Sequence, residues 1–252
     1  MKPVDYNTQQ HENYERGRSL RPDQVDFWIR AFAARLPRRR PLDGLDLGSG
    51  TGRFTPALAA AFGPVTGVER AAKMRQIAES AAAHPGVRYL NGSAEAIPLP
   101  DGSVDYTLMF LVWHHVLGKA RAVSELARVT RRGGRILLRS PFRDHMPRLW
   151  WLEFFPRGFE VDASTFQPLA GVAADFADAG WEVADFAMLR EPATGTRAEL
   201  LEQLRLRPFS IFEHFTAEEL AIGFERLERA VAADPGGPAP RYQQTLLTLI
   251  RR

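Results

Sequence analysis

The stretch Leu42-Asp-Gly-Leu-Asp-Leu-Gly-Ser-Gly-Thr-Gly-Arg-Phe54 decides the fold. Its short apolar run, 42–47, reads as a strand. Glycines at 48, 50 and 52 follow at once, and a helix is predicted over 54–62 with Gly63 as its C-terminal cap. Strand, glycine-rich turn and helix in that order let a backbone loop approach a ligand closely, with helix N–H groups behind it. The dinucleotide fingerprint G-x-G-x-x-G would put its third glycine on Arg53, whereas the spacing here is G-x-G-x-G. Glu69 lies 21 residues after Gly48, at the end of the next predicted strand, where a carboxylate can accept both hydroxyls of an adenosine ribose. The turn alone leaves two readings open, an adenosine-type ligand and a merely tight strand–helix connection.

Outward from this turn, strand and helix keep alternating. Strands are predicted over 65–69, 87–91, 104–111 and 135–139, and helices over 71–83 and 120–129. Units of this length need crossover connections, so the sheet should be mainly parallel with helices on both faces. Later strands at 181–189 and 242–250 bring the total to seven, with a helix at 169–179 before the first of them. Upstream, Val25, Trp28, Ile29, Phe32 and Leu36 form the apolar stripe of a helix over 22–36. The chain thus reads as one α/β domain: an N-terminal helical cap (1–41), a core (42–140), and insertions at 141–170 and 190–240 that lie on the ligand side and form a lid.

The 252 residues suffice for one large domain, and the absence of cysteine excludes disulfides, thiolate metal sites and a cysteine nucleophile. No apolar run reaches the ~18 residues of a membrane helix, and the polar N-terminus lacks a signal peptide's apolar stretch, so a cytoplasmic protein without membrane association is expected. The net charge of +3 comes with only three lysines and with scattered arginines, which makes nucleic acid an unlikely partner. The dense run Arg38-Arg39-Arg40, between prolines, reads as a solvated connector.

Four blocks resemble the class I S-adenosylmethionine-dependent methyltransferases, particularly the branch related to ubiquinone/menaquinone C-methyltransferases. They are LDLGSGTGRF at 45–54, TGVERAAKM at 66–74, NGSAEAIPLPDGSVDYTLMFLVWHHV at 91–116 and ELARVTRRGGRILL at 125–138. The resemblance implies a Rossmann-like, doubly wound sheet and S-adenosylmethionine as cofactor. It implies that Gly48, Gly50 and Gly52 line the methionine and ribose portion, and that Glu69 holds the ribose hydroxyls. It further places Arg70 and Met74 beside the adenine, Ser93 and Ala94 at its edge, backbone of Phe110 near the cofactor's amino group, and Arg18 within reach of its carboxylate. Two positions depart from the family: Ser93 stands where an acid is usual, leaving Glu95 as a substitute, and Thr130-Arg131-Arg132-Gly133-Gly134 replaces Leu-Lys-Pro-Gly-Gly.

Methyl transfer from a sulfonium is an in-line displacement, so the protein must align the acceptor and exclude water, and a base is needed only for a protonated acceptor. His114 and His115, after the fourth strand, are the candidate bases, with Asp144 and His145 after the fifth strand as further candidates; packing, capping or a solvated loop is the alternative for each. Seven aromatics between 141 and 170 (Phe142, Trp150, Trp151, Phe154, Phe155, Phe159 and Phe166) form either an apolar wall of an acceptor pocket or a local packing cluster. Arg207, Phe209, Phe212 and Phe215 belong to the lid by the same argument. No His, Asp and Glu set has metal-ligand spacing, so no metal is expected. The sequence therefore reads as a methyltransferase of a small, partly aromatic or apolar acceptor. The alternatives are an RNA or protein acceptor, or a cofactor-binding protein that moves no methyl group.

Overall fold

A computed structural model describes residues 20–192 and 195–252; Arg18 and the motif around it lie outside the described residues. Seven strands make one sheet: β1 (Gly44–Leu47), β2 (Val65–Val68), β3 (Val87–Leu90), β4 (Val104–Phe110), β5 (Thr130–Arg139), β6 (Trp181–Arg190) and β7 (Gln243–Arg251). Their spatial order is β3-β2-β1-β4-β5-β7-β6. The helices are α1 (Pro22–Ala33), α2 (Thr55–Phe62), α3 (Ala72–Ala81), α4 (Lys119–Val129), α5 (Gly158–Thr165), α6 (Leu169–Ala177), α7 (Arg197–Arg205) and α8 (Ala217–Ala233).

Two-residue alternation along the strands sorts the apolar side chains onto two faces. Leu45, Leu47, Met109, Ile136 and Leu138 pack with α4 and α6, through Ala122, Leu126, Val172 and Phe176. Tyr106, Leu108, Leu137 and Leu246 face the other way, against Trp28 and Phe32 of α1 and Leu58 and Phe62 of α2. The apolar stripe predicted for α1 is therefore a core face, although the α-helix ends at Ala33 and Leu36 is held by its N–H bond to the Phe32 carbonyl at 3.1 Å.

The sheet is mixed. β1 pairs in parallel with β2 and β4, and so do β2 with β3 and β4 with β5, but β7 runs antiparallel to both β5 and β6. Crossover units force parallel pairing only among the first five strands. β7 arrives after the long 190–240 insertion and slots between β5 and β6 with six consecutive buried residues, as a central strand should. β5 also starts earlier than its apolar pattern predicts: Val104 pairs Thr130 while Tyr106 pairs Arg135, so residues 131–134 bulge outward. Gly133 enables that bulge with φ 77°, and a Cβ on Gly134 would lie 2.4 Å from the Thr130 side chain.

The arginine run is more than a solvated connector. Arg39 binds the buried carboxylate of Asp105 at 2.6 Å, and the guanidinium of Arg40 lies 4.9 Å from the Phe62 ring centre. A buried carboxylate needs a partner, and the run supplies one.

The insertions build a second core of their own. Trp151, Leu152, Phe155, Leu200, Leu204, Phe212, Phe215, Leu220 and Leu227 are buried together. Trp151 stacks on Phe212 at 5.4 Å and Phe155 on Phe215 at 5.5 Å, and such ring pairs add about 0.5–1.5 kcal/mol each beyond the area they bury. Capping boxes at Thr196/Glu199 and Thr216/Glu219 start α7 and α8. Among the described residues no helix is long and apolar enough to cross a membrane.

Candidate active site

The glycine turn leaves β1 with all three glycines at positive φ, 71°, 57° and 80° for Gly48, Gly50 and Gly52. Their surroundings differ. A Cβ on Gly48 would lie 2.6 Å from a Val112 methyl, and one on Gly52 would lie 2.4 Å from the Tyr89 hydroxyl and 2.6 Å from the Ala82 Cβ. At Gly50 a Cβ would meet only the Met74 methyl, at 3.6 Å. Gly48 and Gly52 are thus required by packing, and Gly50 is the glycine that borders open space.

Glu69, just past β2, clamps this turn. Its Oε2 accepts the Gly50 N–H at 3.0 Å and its Oε1 the Ala71 N–H at 2.7 Å. A carboxylate offers about four acceptor positions, so two remain, one per oxygen, as a vicinal diol requires. Arg70 beside it is exposed, and Met74 is buried beneath the turn. Ser93 and Ala96 exchange backbone bonds in an isolated bridge that carries the buried Ala94. Glu95 turns away, its Oε1 accepting the Gly118 N–H at 3.2 Å, so its outer oxygen bonds the 111–118 loop. An open glycine, a half-satisfied carboxylate and the backbone edge at 93–94 together fit the ribose and adenine of S-adenosylmethionine.

Asp46 lies behind this cradle, wholly buried in β1 and bonded to the Thr55 hydroxyl at 2.7 Å. Burial raises its carboxyl to about 6, against the opposing pull of Thr55 and Arg53. It ties β1 to the first turn of α2, a role that periodicity does not reveal.

Beyond the C-terminal ends of β4 and β5 lies a cavity of about 720 Å³, lined from the sheet edge, α1 and the second core. Phe110 and Leu111 line it from β4 and the residue after it, and His114 and His115 from the short 3₁₀ turn Trp113–His115. Leu111 takes φ 61°, a left-handed conformation costing a branched residue about 1–2 kcal/mol, where the chain bends from strand into that turn. The two imidazole rings are 4.0 Å apart, and His114 meets the Phe166 ring edge-on at 4.9 Å. The Phe110 ring lies among Trp28, Phe54, Arg53 and Arg139, as part of the wall shared with α1.

A polar bar crosses the far end of the cavity. Glu191 accepts from Trp28 Nε1 at 2.9 Å, from Gln24 at 3.3 Å and from Gln244 at 3.4 Å, and Arg139 donates to the Gln244 carbonyl. Sequence reasoning missed this bar, because its members come from four separate elements.

The remaining predicted residues divide. Asp144 does not line the cavity: its Oδ1 accepts the Leu169 N–H at 2.9 Å at the start of α6 and lies 3.1 Å from His145. The aromatic surplus serves both purposes, since Trp151, Phe166 and Phe209 line the cavity while Phe155, Phe212 and Phe215 fill the second core and Phe142 the main one. Asp162 on α5 was overlooked. It lines the cavity, burial raises its carboxyl to about 7, and among the described residues no donor reaches it. Among the described residues no group of three or more His, Asp and Glu is placed to hold a metal ion.

Residues 45–138 match the family described as methyltransferase domain. A methyltransferase of Mycobacterium tuberculosis named as uncharacterized is 41% identical over 140 residues, covering 55% of this chain and 52% of that protein. Malonyl-[acyl-carrier protein] O-methyltransferase of Pectobacterium atrosepticum is 38% identical over 103 residues, 40% of this chain and 39% of that protein. Among solved structures, a protein of Anabaena variabilis described as a candidate methyltransferase from an antibiotic biosynthesis pathway superposes with TM-score 0.72 at 25% identity, over 89% of this chain and 99% of its own. The chain spans about half the length of the curated relatives it matches. The matched segment is thus similar to methyltransferase domains, and the cradle around Gly50 and Glu69 lies within it.

Proposed function

We propose that the chain is an enzyme that transfers a methyl group from S-adenosylmethionine to a small, partly aromatic or apolar acceptor held in the cavity at the sheet edge. The observation that carries this reading is a shared wall. Val112 packs against Gly48 of the cofactor turn while its neighbours Leu111 and His114 line the cavity, and Arg53, next to Gly52, lines it too. Two binding spaces separated by one short segment are what a direct transfer between two small molecules needs.

Gly50, Glu69, Met74, Ser93 and Ala94 would hold the cofactor, which when bound supplies an electrophilic methyl group on sulfur. The chain's own residues do the rest. Leu111, Trp151, Phe166 and Phe209 exclude water and orient an apolar body. His114 or His115 takes the proton of an acceptor that must lose one, a neutral imidazole being suited to that near pH 7. Asp144 takes no part in the transfer. The likeness of the four sequence blocks to quinone C-methyltransferases covers the cofactor half, so it supports the cofactor more than the acceptor atom.

Calorimetric titration with S-adenosylmethionine and S-adenosylhomocysteine tests the reading. Micromolar binding of both is expected, weakened at least tenfold in Glu69→Ala, with S-adenosylhomocysteine produced once an acceptor from an aromatic-metabolite panel is present. Absence of binding to either compound would sink it.

A further inference from the structure

We infer that the cavity recognises a basic nitrogen through the carboxylate of Asp162, so that the acceptor is an amine carrying an apolar or aromatic body. Naming this ligand the acceptor rests on the transfer reading above.

Among the described residues four carboxylates line the cavity, and three already have donors. Glu191 accepts from Trp28, Gln24 and Gln244. Glu199 closes the capping box of α7 by accepting the Thr196 N–H at 2.7 Å, and Glu202 pairs with Arg205. Asp162 has no donor among the described residues. It lines the cavity from α5, as does Phe166, the residue just past that helix, whose ring meets His114.

The chemistry of the ligand follows from what this carboxyl lacks. An ionised carboxylate in an apolar wall is costly until a donor and an opposite charge arrive together. An alcohol brings only the donor, whereas an ammonium brings both, in a bond roughly twice as strong as a neutral one. Phe166 in the same lining adds an aromatic ring of the kind that cations favour. The guanidinium groups of Arg53 and Arg139 lie over the Phe110 ring. Burial holds the Asp162 proton to about 7, so at pH 6 the empty site is mostly neutral and must release a proton when an ammonium binds.

Tryptamine and its alcohol isostere tryptophol serve as probes, titrated calorimetrically at pH 6 into the full chain with and without S-adenosylhomocysteine, in two buffers of different ionisation heat. The native protein should bind tryptamine at least tenfold more tightly than tryptophol and release about 0.9 proton per tryptamine. Asp162→Asn should bring the two probes within twofold and abolish the release, while keeping its affinity for tryptophol. Asp162→Glu should restore the preference. Tryptophol binding as tightly as tryptamine, a preference surviving in Asp162→Asn, or no tryptamine binding by the native protein would each overturn the assignment. Failure to bind S-adenosylhomocysteine counts against the transfer reading alone, because the probe preference is also measured without it.

Discussion

Asp162→Asn makes the protein more stable, and the gain depends on pH in a way fixed by one buried proton. The native carboxyl is raised by burial from 3.8 to about 7. At 1.36 kcal/mol for each tenfold change in proton affinity, that difference is worth about 4 kcal/mol, an upper value because the side chain borders a cavity that water enters. The sign follows from proton counts. Between pH 4 and pH 7 the folded state holds a proton at Asp162 that the unfolded chain has lost, so native stability falls as pH rises through this window. Below pH 4 both states are protonated, and above pH 7 both have lost the proton and the penalty is complete. The amide of asparagine has nearly the shape of a protonated carboxyl and no charge to bury. Urea unfolding of both proteins, followed by far-ultraviolet circular dichroism at pH 4.5, 6, 7 and 8, reads the difference directly. The variant should match the native protein within about 1 kcal/mol at pH 4.5 and exceed it by about 2–4 kcal/mol at pH 8. Asp46, also raised by burial, contributes its own slope to both proteins and cancels in the comparison. A gap that stays constant across the four pH values would refute the reasoning.

The glycine turn and the α6 cap give two further tests. Gly52→Ala forces a Cβ against the Tyr89 hydroxyl and Ala82 at positive φ, so it should cost about 2–4 kcal/mol of stability in urea unfolding, whereas Gly50→Ala should cost about 1–2 kcal/mol for the left-handed backbone and weaken S-adenosylhomocysteine at least tenfold. Asp144→Ala removes the acceptor of the Leu169 N–H and should lower stability by about 0.5–2 kcal/mol while leaving cofactor affinity within twofold; a larger loss of affinity than of stability would return Asp144 to the active site.

The cofactor half was legible because its signals are local. The apolar run into Gly48-x-Gly50-x-Gly52, the spacing to Glu69 and the alternation through residue 139 each depend on neighbours in sequence, and the structure places those elements within one to five residues of the sequence reading. What the spacing did not reveal was the division of labour among the glycines. Tyr89, Ala82 and Val112, distant in sequence, leave no room for a Cβ at Gly48 or Gly52. The direction of β7 was hidden for a related reason: a strand that follows a long insertion carries no crossover to impose its polarity, and its apolar run fits either direction. Asp162 looked like any acid on a short helix, and only burial beside the cavity gives its carboxyl a distinctive chemistry.

The second core explains why the acceptor side resists reading while the cofactor side does not. Its aromatic cluster packs internally, through Trp151 with Phe212 and Phe155 with Phe215 and Phe224, apart from the cores on the two sheet faces. The cavity lies where this unit faces the sheet edge, and its lining draws on both. The glycine turn is constrained by the backbone geometry of the sheet, so its residue types are predictable from spacing. Among the described residues no hydrogen bond or ring contact of Asp162 or Phe166 reaches the glycine turn. Variants on α5 should therefore shift probe preference at constant affinity for S-adenosylhomocysteine.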